Sequence, residues 1–191
     1  MMARRSLEEI IKGDRFLEVR RSKLEKALRG GLAEGDIYVL RELLEVIDWM
    51  DVKVKRIEER MALLAKPYEK EIGFLMSVPG VGFTAAVTIF AEIGDIFRFP
   101  SSGNLTSDGG LVPSLYQSGR KTYRGKTSKR CSQHLKWIMI QVAHAASRVR
   151  DSRLRSFFLR VQARRGRKVA IVALARKILS IIWHLLVKGE R

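Results

Sequence analysis

Residues 40–68 read LRELLEVIDWMDVKVKRIEERMALLAKPY. Leu40, Leu43, Ile47, Met50, Val54, Ile57, Met61, Leu64 and Tyr68 recur in steps of three and four. That is an a/d seam sustained over four heptads, the signature of a helix that supercoils with a partner. Glu42, Glu45, Asp48, Asp51, Lys53, Lys55, Arg56, Glu58, Glu59 and Arg60 lie between the seam residues, mostly on the outer face. A stripe this narrow covers one partner helix rather than a globular core. Two partners fit: residues 6–28 folded back as an antiparallel hairpin, or the same helix of another chain.

The sequence before the seam is also helical in pattern. Ser6 and Glu9 have capping-box spacing, and Leu7, Ile10, Leu17, Leu24 and Leu28 follow at helical intervals. The stretch 30–35, GGLAEG, reads as a turn. After the seam, Pro67 removes a backbone donor, so a bend or a helix restart is expected before residues 71–75.

Charge divides the chain near residue 77. The whole has 191 residues, 37 Lys plus Arg and 20 Asp plus Glu, a net charge of +17. Residues 1–76 hold 16 basic and 15 acidic side chains, whereas residues 77–191 hold 21 and 5. An excess so concentrated argues against a metabolic enzyme that avoids polyanions and favours a phosphate-rich partner. Apolar residues make up 46% of the chain, enough to bury a core and too many for a disordered basic tail. The lone Cys131 excludes an internal disulfide and a cysteine-based zinc site. The first residues lack the apolar core of a secretory signal, so a cytoplasmic location is expected.

Residues 169–187, VAIVALARKILSIIWHLLV, are long and apolar enough to raise the question of a membrane. Arg176 and Lys177 sit near the middle and would each cost roughly 2.5–3.5 kcal/mol at the centre of a bilayer helix. A buried helix of a soluble domain, with both cations facing outward, is the expectation, and no membrane partner. Further helices are expected at about 131–150, 152–164 and from Lys168 onward. No stretch alternates long enough for a sheet. The fold class is therefore all-α: a coiled-coil arm over 1–69, then a compact helical domain over 70–191. A long basic loop near 112–130 is expected inside the second part.

Three motifs carry chemistry. Val78-Pro79-Gly80-Val81-Gly82-Phe83-Thr84-Ala85-Ala86 resembles a helix-hairpin-helix turn. Its glycines allow outward-facing amides at a helix start, which accept a phosphate oxygen without reading sequence. Gly80, Val81, Gly82 and Thr84 are the candidate contacts, weighed against a plain tight turn. In the second motif, 97–105, Pro100 followed by Ser101 and Ser102 reads as a helix cap rather than a catalytic pair.

The third motif runs Tyr116-Gln117-Ser118-Gly119 and on through Arg130. Six of the eleven residues in 120–130 are basic. Arg120, Lys121, Arg124, Lys126, Lys129 and Arg130 suit phosphate contacts, and Tyr123 suits stacking on sugars or bases. Ser118 beside them is an ordinary turn serine on composition alone, because no Asp, Glu or His nearby in sequence takes its proton. A stripe from Arg148 to Lys168 is a second basic face. His134, His144 and His184 lack a carboxylate or cysteine cluster, and Asp95 and Asp108 are too scattered to make a site, so no metal ligand is assigned.

Taken together, SVPGVG with TAA, AEIGD-x-x-RFPS, GLVPS-x-x-QSG, RGK-x-SK, HL-x-W and ARK-x-LSIIWHLL closely resemble the C-terminal domain of transposases of insertion sequences 110, 116 and 902. This is the RNA-guided serine recombinase type. The resemblance runs over roughly residues 70–187. It implies DNA cleavage and rejoining in transposition, with Ser118 at the position of the proposed serine nucleophile. It also implies Mg²⁺ held by acids of an N-terminal RNase-H-like domain, a structured guide RNA, and a coiled-coil arm; the heptad seam of this chain makes a homo-oligomer through that arm the expectation. The chain is expected to start at about the arm and to lack that N-terminal domain, so that it does not exchange strands alone. The alternative is a non-catalytic nucleic-acid-binding and dimerisation module. Three positions depart from the family: Asp108 and Gly109 replace an aromatic residue and an alanine, and Cys131 replaces a glycine suited to a left-handed turn.

Overall fold

The computed structural model describes residues 34–118, 121–127 and 131–189. The expected helix over 6–28, the first four residues of the turn expected at 30–35, and Arg120, Lys129 and Arg130 lie outside the described residues; Glu34 and Gly35, expected in that turn, are instead the first residues of a helix. The chain divides into two compact units between Lys66 and Pro67.

The described part of the first unit is one continuous helix, α1, Glu34–Ala65. Its seam residues Leu43, Ile47, Met50, Val54, Ile57 and Leu64 are all exposed. A 3-10 turn at Lys66–Tyr68 interrupts the helix at Pro67, where the ring removes a donor, and helix α2 restarts at Glu69 and runs to Met76.

The second unit is built around its last helix. After α2 come α3, Phe83–Ile93, a 3-10 turn at Ile96–Arg98, and α4, Ser102–Asp108. The chain then forms α5, Gln133–Ala146, α6, Arg153–Arg165, and α7, Arg167–Lys188. Helices α2, α4, α5 and α6 all pack on α7, and α3 packs on α2 and α5. The α7 residues Ala170, Ile171, Leu174, Ala175, Ile178, Leu179 and Ile182 are buried against them. Truncating one of the large residues here to alanine costs roughly 2–5 kcal/mol through lost transfer energy and a cavity. By length and composition α7 is the one candidate span among the described residues. Its apolar side chains are nevertheless the core of this unit. Arg176 and Lys177 are exposed, as their charge demands, and Lys177 Nζ stands 4.4 Å from the centre of the Phe157 ring.

Short polar caps fix where the helices begin. Ser101 accepts from the Asn104 amide at 3.4 Å and starts α4. Ser132 and Ser152 do the same for α5 and α6. The indole N–H of Trp183 on α7 donates to the Phe99 carbonyl at 3.0 Å and ties the 97–100 turn to the core.

The fold class is all-α, with one addition. The segment expected as a long basic loop contains a two-stranded antiparallel hairpin, β1, Pro113–Ser118, and β2, Lys121–Thr127. Ser118 pairs with Lys121, Gln117 with Thr122, Tyr116 with Tyr123 and Leu115 with Arg124, with an irregularity between Pro113 and Leu115. A ladder satisfies backbone groups that a loop of this length leaves to water.

Candidate nucleic-acid interface

The turn between α2 and α3 is held from within. The Ser77 hydroxyl donates to the Phe74 carbonyl at 2.6 Å, and the Val78 and Val81 amides donate to Leu75 and Val78 carbonyls at 3.1 and 3.0 Å. Val78 and Val81 are buried. The Val81 side chain and amide are thus spent inside the fold. Gly80 has φ +92°, and a Cβ there would stand 2.5 Å from the Ala146 backbone nitrogen. Only glycine satisfies both conditions, so Gly80 is required by the packing of this turn on the end of α5.

Gly82 differs. It caps α3 in an extended conformation, has no side-chain cap bond, and a Cβ built on it meets nothing within 4 Å. Thr84 is exposed in the first turn of α3, which carries no acidic residue. The space beside the Gly82 Cα is therefore open, next to a helix start that carries positive partial charge, an arrangement that suits an anion.

The hairpin places Ser118 in register with Lys121, separated in sequence by Gly119 and Arg120. Positions 116, 118, 121 and 123 fall on one face of the ladder by the two-residue repeat of a strand. Lys126 lies further along β2. The ends of the hairpin segment are tied to the helical body. The Ser132 amide donates to the Asp108 carbonyl at 3.1 Å, and its hydroxyl donates to Glu92 Oε2 at 2.7 Å while accepting from the Leu135 amide at 3.1 Å. Sequence reasoning missed this tie, because Glu92 and Ser132 are 40 residues apart and no local pattern joins them.

A basic surface runs from the end of α5 through α6 to the start of α7. Arg148, Arg150, Arg153, Arg160, Arg164, Arg165, Arg167 and Lys168 are exposed, and Arg155 is half-buried. The stripe turns a corner at Gly166, whose φ of +77° joins α6 to α7.

Three carboxylates of this unit, Glu92, Asp95 and Asp108, have partners of their own. Glu92 accepts from Ser132, Asp95 accepts from the Phe97 amide at 2.9 Å, and Asp108 lies 3.8 Å from Arg98. Among the described residues no group of three His, Cys, Asp or Glu side chains is placed to hold a metal ion. These residues do not fit Mg²⁺, which takes oxygen ligands in a near-octahedral set. Asp151 is the non-glycine residue with positive φ among those described.

Residues 73–159 match the model of the family described as Transposase IS116/IS110/IS902. The chain is 36% identical over 143 residues to the "Transposase for insertion sequence element IS1111A" of Coxiella burnetii, an alignment covering 73% of this chain and 39% of that protein. It is 30% identical over 151 residues to the "Probable family 20 transposase" of Pseudomonas aeruginosa, covering 78% and 44%. A third relative, the "Transposase for insertion sequence element IS1328" of Yersinia enterocolitica, is 28% identical over 118 residues, covering 60% and 35%. The chain thus spans less than half the length of the curated relatives it matches. With the turn and the hairpin of its second unit inside the matched stretch, the chain belongs to the IS116/IS110/IS902 transposase family.

Proposed function

We propose that this chain is the arm and the DNA-handling part of an insertion-sequence transposase, in which Ser118 is the nucleophile of strand cleavage and rejoining. The observation that carries the reading is the register of the hairpin, with Ser118 opposite Lys121. Attack by the Ser118 oxygen on a DNA phosphorus forms a serine phosphoester as the bond to the sugar oxygen breaks. The serine proton ends on the released sugar hydroxyl, and the reverse reaction rejoins the strand. Lys121 and its basic neighbours Arg120, Arg124, Lys126, Lys129 and Arg130 neutralise the phosphate oxygens. The open start of α3 at Gly82 and Thr84 holds a second stretch of backbone without reading sequence.

Mg²⁺ and its acidic ligands belong to a separate domain in this reading, since the described residues here do not fit the ion. The helix-hairpin-helix character of 78–86, a structured guide RNA partner and a cytoplasmic setting are parts of the same proposal. The exposed α1 seam supports a homo-oligomer. A second reading, a non-catalytic binding and dimerisation module, draws on the same seam and on the absence of a metal cluster among the described residues.

One experiment separates them. The purified chain is mixed with the N-terminal domain of a longer relative, Mg²⁺ and DNA carrying insertion ends, and covalent protein–DNA adducts are resolved on denaturing gels. The nucleophile reading expects adducts that Ser118→Ala abolishes. Binding that persists with no adduct under any complementation supports the module. Efficient recombination by the purified chain alone overturns the assignment of the metal to another domain.

A further inference from the structure

Helix α5 buries Leu135, Ile138, Met139, Val142, Ala143 and Ala146 against α3 and α7. Trp137 projects from the opposite side, and 59% of it is exposed. An exposed tryptophan costs hydration free energy that the fold does not recover, so the ring is informative in a way that a lone exposed leucine is not. Its neighbours on the same helix face, His134 one turn before and Gln141 one turn after, are exposed and polar. Helix α5 contains no acidic residue. It also begins one residue after Ser132, where the hairpin segment is tied to the helical body. The Trp137 backbone therefore lies about 7 Å along the helix axis from Ser132, where the segment that carries Ser118 rejoins the helical body.

We propose that Trp137 is a stacking platform for an unpaired DNA base beside the hairpin. The proposal rests on the DNA-handling reading and adds to it a class of ligand, single-stranded rather than duplex DNA. A duplex presents its phosphates outward and keeps its base faces stacked, so it meets the lysines and arginines but has no face to offer the indole. A single strand offers both, and aromatic stacking is sequence-tolerant because every base has a π-face. Phe97 is the internal comparison. It is 76% exposed, more than Trp137, but Asp95 lies two residues before it and Asp108 sits 3.8 Å from its neighbour Arg98. Those carboxylates oppose an approaching strand, and Phe97 is not part of the platform.

The test uses the full chain, a fluorescent oligo-dT, a duplex of the same length, and an oligo-rU. Trp137→Ala is expected to weaken oligo-dT binding roughly 5- to 100-fold. Duplex affinity should stay within about twofold, Trp137→Phe should keep most of the affinity, and Phe97→Ala should change little. In a Trp49→Phe background, oligo-dT should quench tryptophan emission. Adding Trp137→Phe should remove that quenching, leaving the half-buried Trp183. Circular dichroism checks that the variants remain folded, as expected for a solvent-facing position. Equal losses for single strand and duplex, no loss for either, or Phe97→Ala matching Trp137→Ala overturns the platform while leaving DNA binding standing. Tighter, Trp137-dependent binding of oligo-rU overturns the assignment to DNA. A wild-type chain that binds none of the three overturns both this inference and the reading beneath it.

Discussion

Gly80 and Gly82 stand two residues apart in one turn and have opposite surroundings. The Cβ that Gly80 lacks would fall inside van der Waals contact of the Ala146 backbone, at a φ that side chains rarely adopt. Backbone cannot swing away as a flexible side chain can, so Gly80→Ala combines overpacking with dihedral strain. A loss of at least about 3 kcal/mol is expected from the two together, read as a lower denaturant midpoint. Gly82→Ala meets only open space, and stability should fall by no more than about 1 kcal/mol, the preference for glycine over alanine at a helix cap. If the α3 amides hold phosphate, the same methyl stands in the way, and DNA affinity should drop several-fold in a binding titration. Unchanged affinity removes Gly82 from the interface. Gly109 is a milder case. Its missing Cβ would sit 3.0 Å from a Leu179 methyl, which yields by a small rotation, so the family's usual alanine is sterically close to acceptable here.

At the scale of elements, the tie at Ser132 decides how firmly the hairpin is presented. One hydroxyl caps α5 and reaches Glu92 on α3, while the amide of the same residue bonds the end of α4. Ser132→Ala loses the cap and the inter-helix bond, and should cost about 1–2 kcal/mol. It should also speed tryptic cleavage within 113–127 by several-fold. Glu92→Gln keeps an acceptor for the serine and should be milder in both measurements. Equal cleavage rates in wild type and Ser132→Ala would mean that the hairpin does not depend on this residue. The helices and their ends were legible in the sequence because periodicity and serine caps are local signals, and Pro67, Ser101 and the apolar run of α7 each did what local chemistry dictates. The strands were not. Gly125 and Lys126 have weak strand propensity, and the segment shows no apolar alternation. The signal that was present in the sequence, glycine at the first of the two positions between Ser118 and Lys121, is that of a two-residue hairpin turn. The basic residues dominated the reading instead. Contacts such as Glu92 to Ser132 are set by tertiary packing and leave no trace in spacing.

For the whole molecule, the division at Lys66 separates two kinds of surface. The second unit buries its apolar residues inside itself. The described part of the first is a single helix of 32 residues, about 48 Å long at 1.5 Å per residue. A helix in water draws most of its stability from a packed face rather than from propensity. Leu43, Ile47, Met50, Val54, Ile57 and Leu64 of the seam are exposed, which leaves an apolar stripe for a partner to cover. The balanced charges before residue 77 suit helices that pair with their own kind, whereas the 21 basic residues after it would repel a copy and attract phosphate. Replacing Ile47 and Val54 by aspartate puts two carboxylates into the seam without touching the second unit. Light scattering should show the wild-type chain as a dimer or larger and the double variant as a monomer. Trp49→Ala, which removes an exposed aromatic outside the seam, should leave the mass unchanged. The monomer should still bind one short oligonucleotide with near wild-type affinity, because the basic surface is intact. It should lose much of the advantage that a dimer gains on DNA carrying two sites, where the second contact becomes intramolecular. A wild-type chain that is already monomeric at tens of micromolar would assign the seam to residues 6–28 of the same chain instead, and the aspartates would then destabilise the arm without changing the mass.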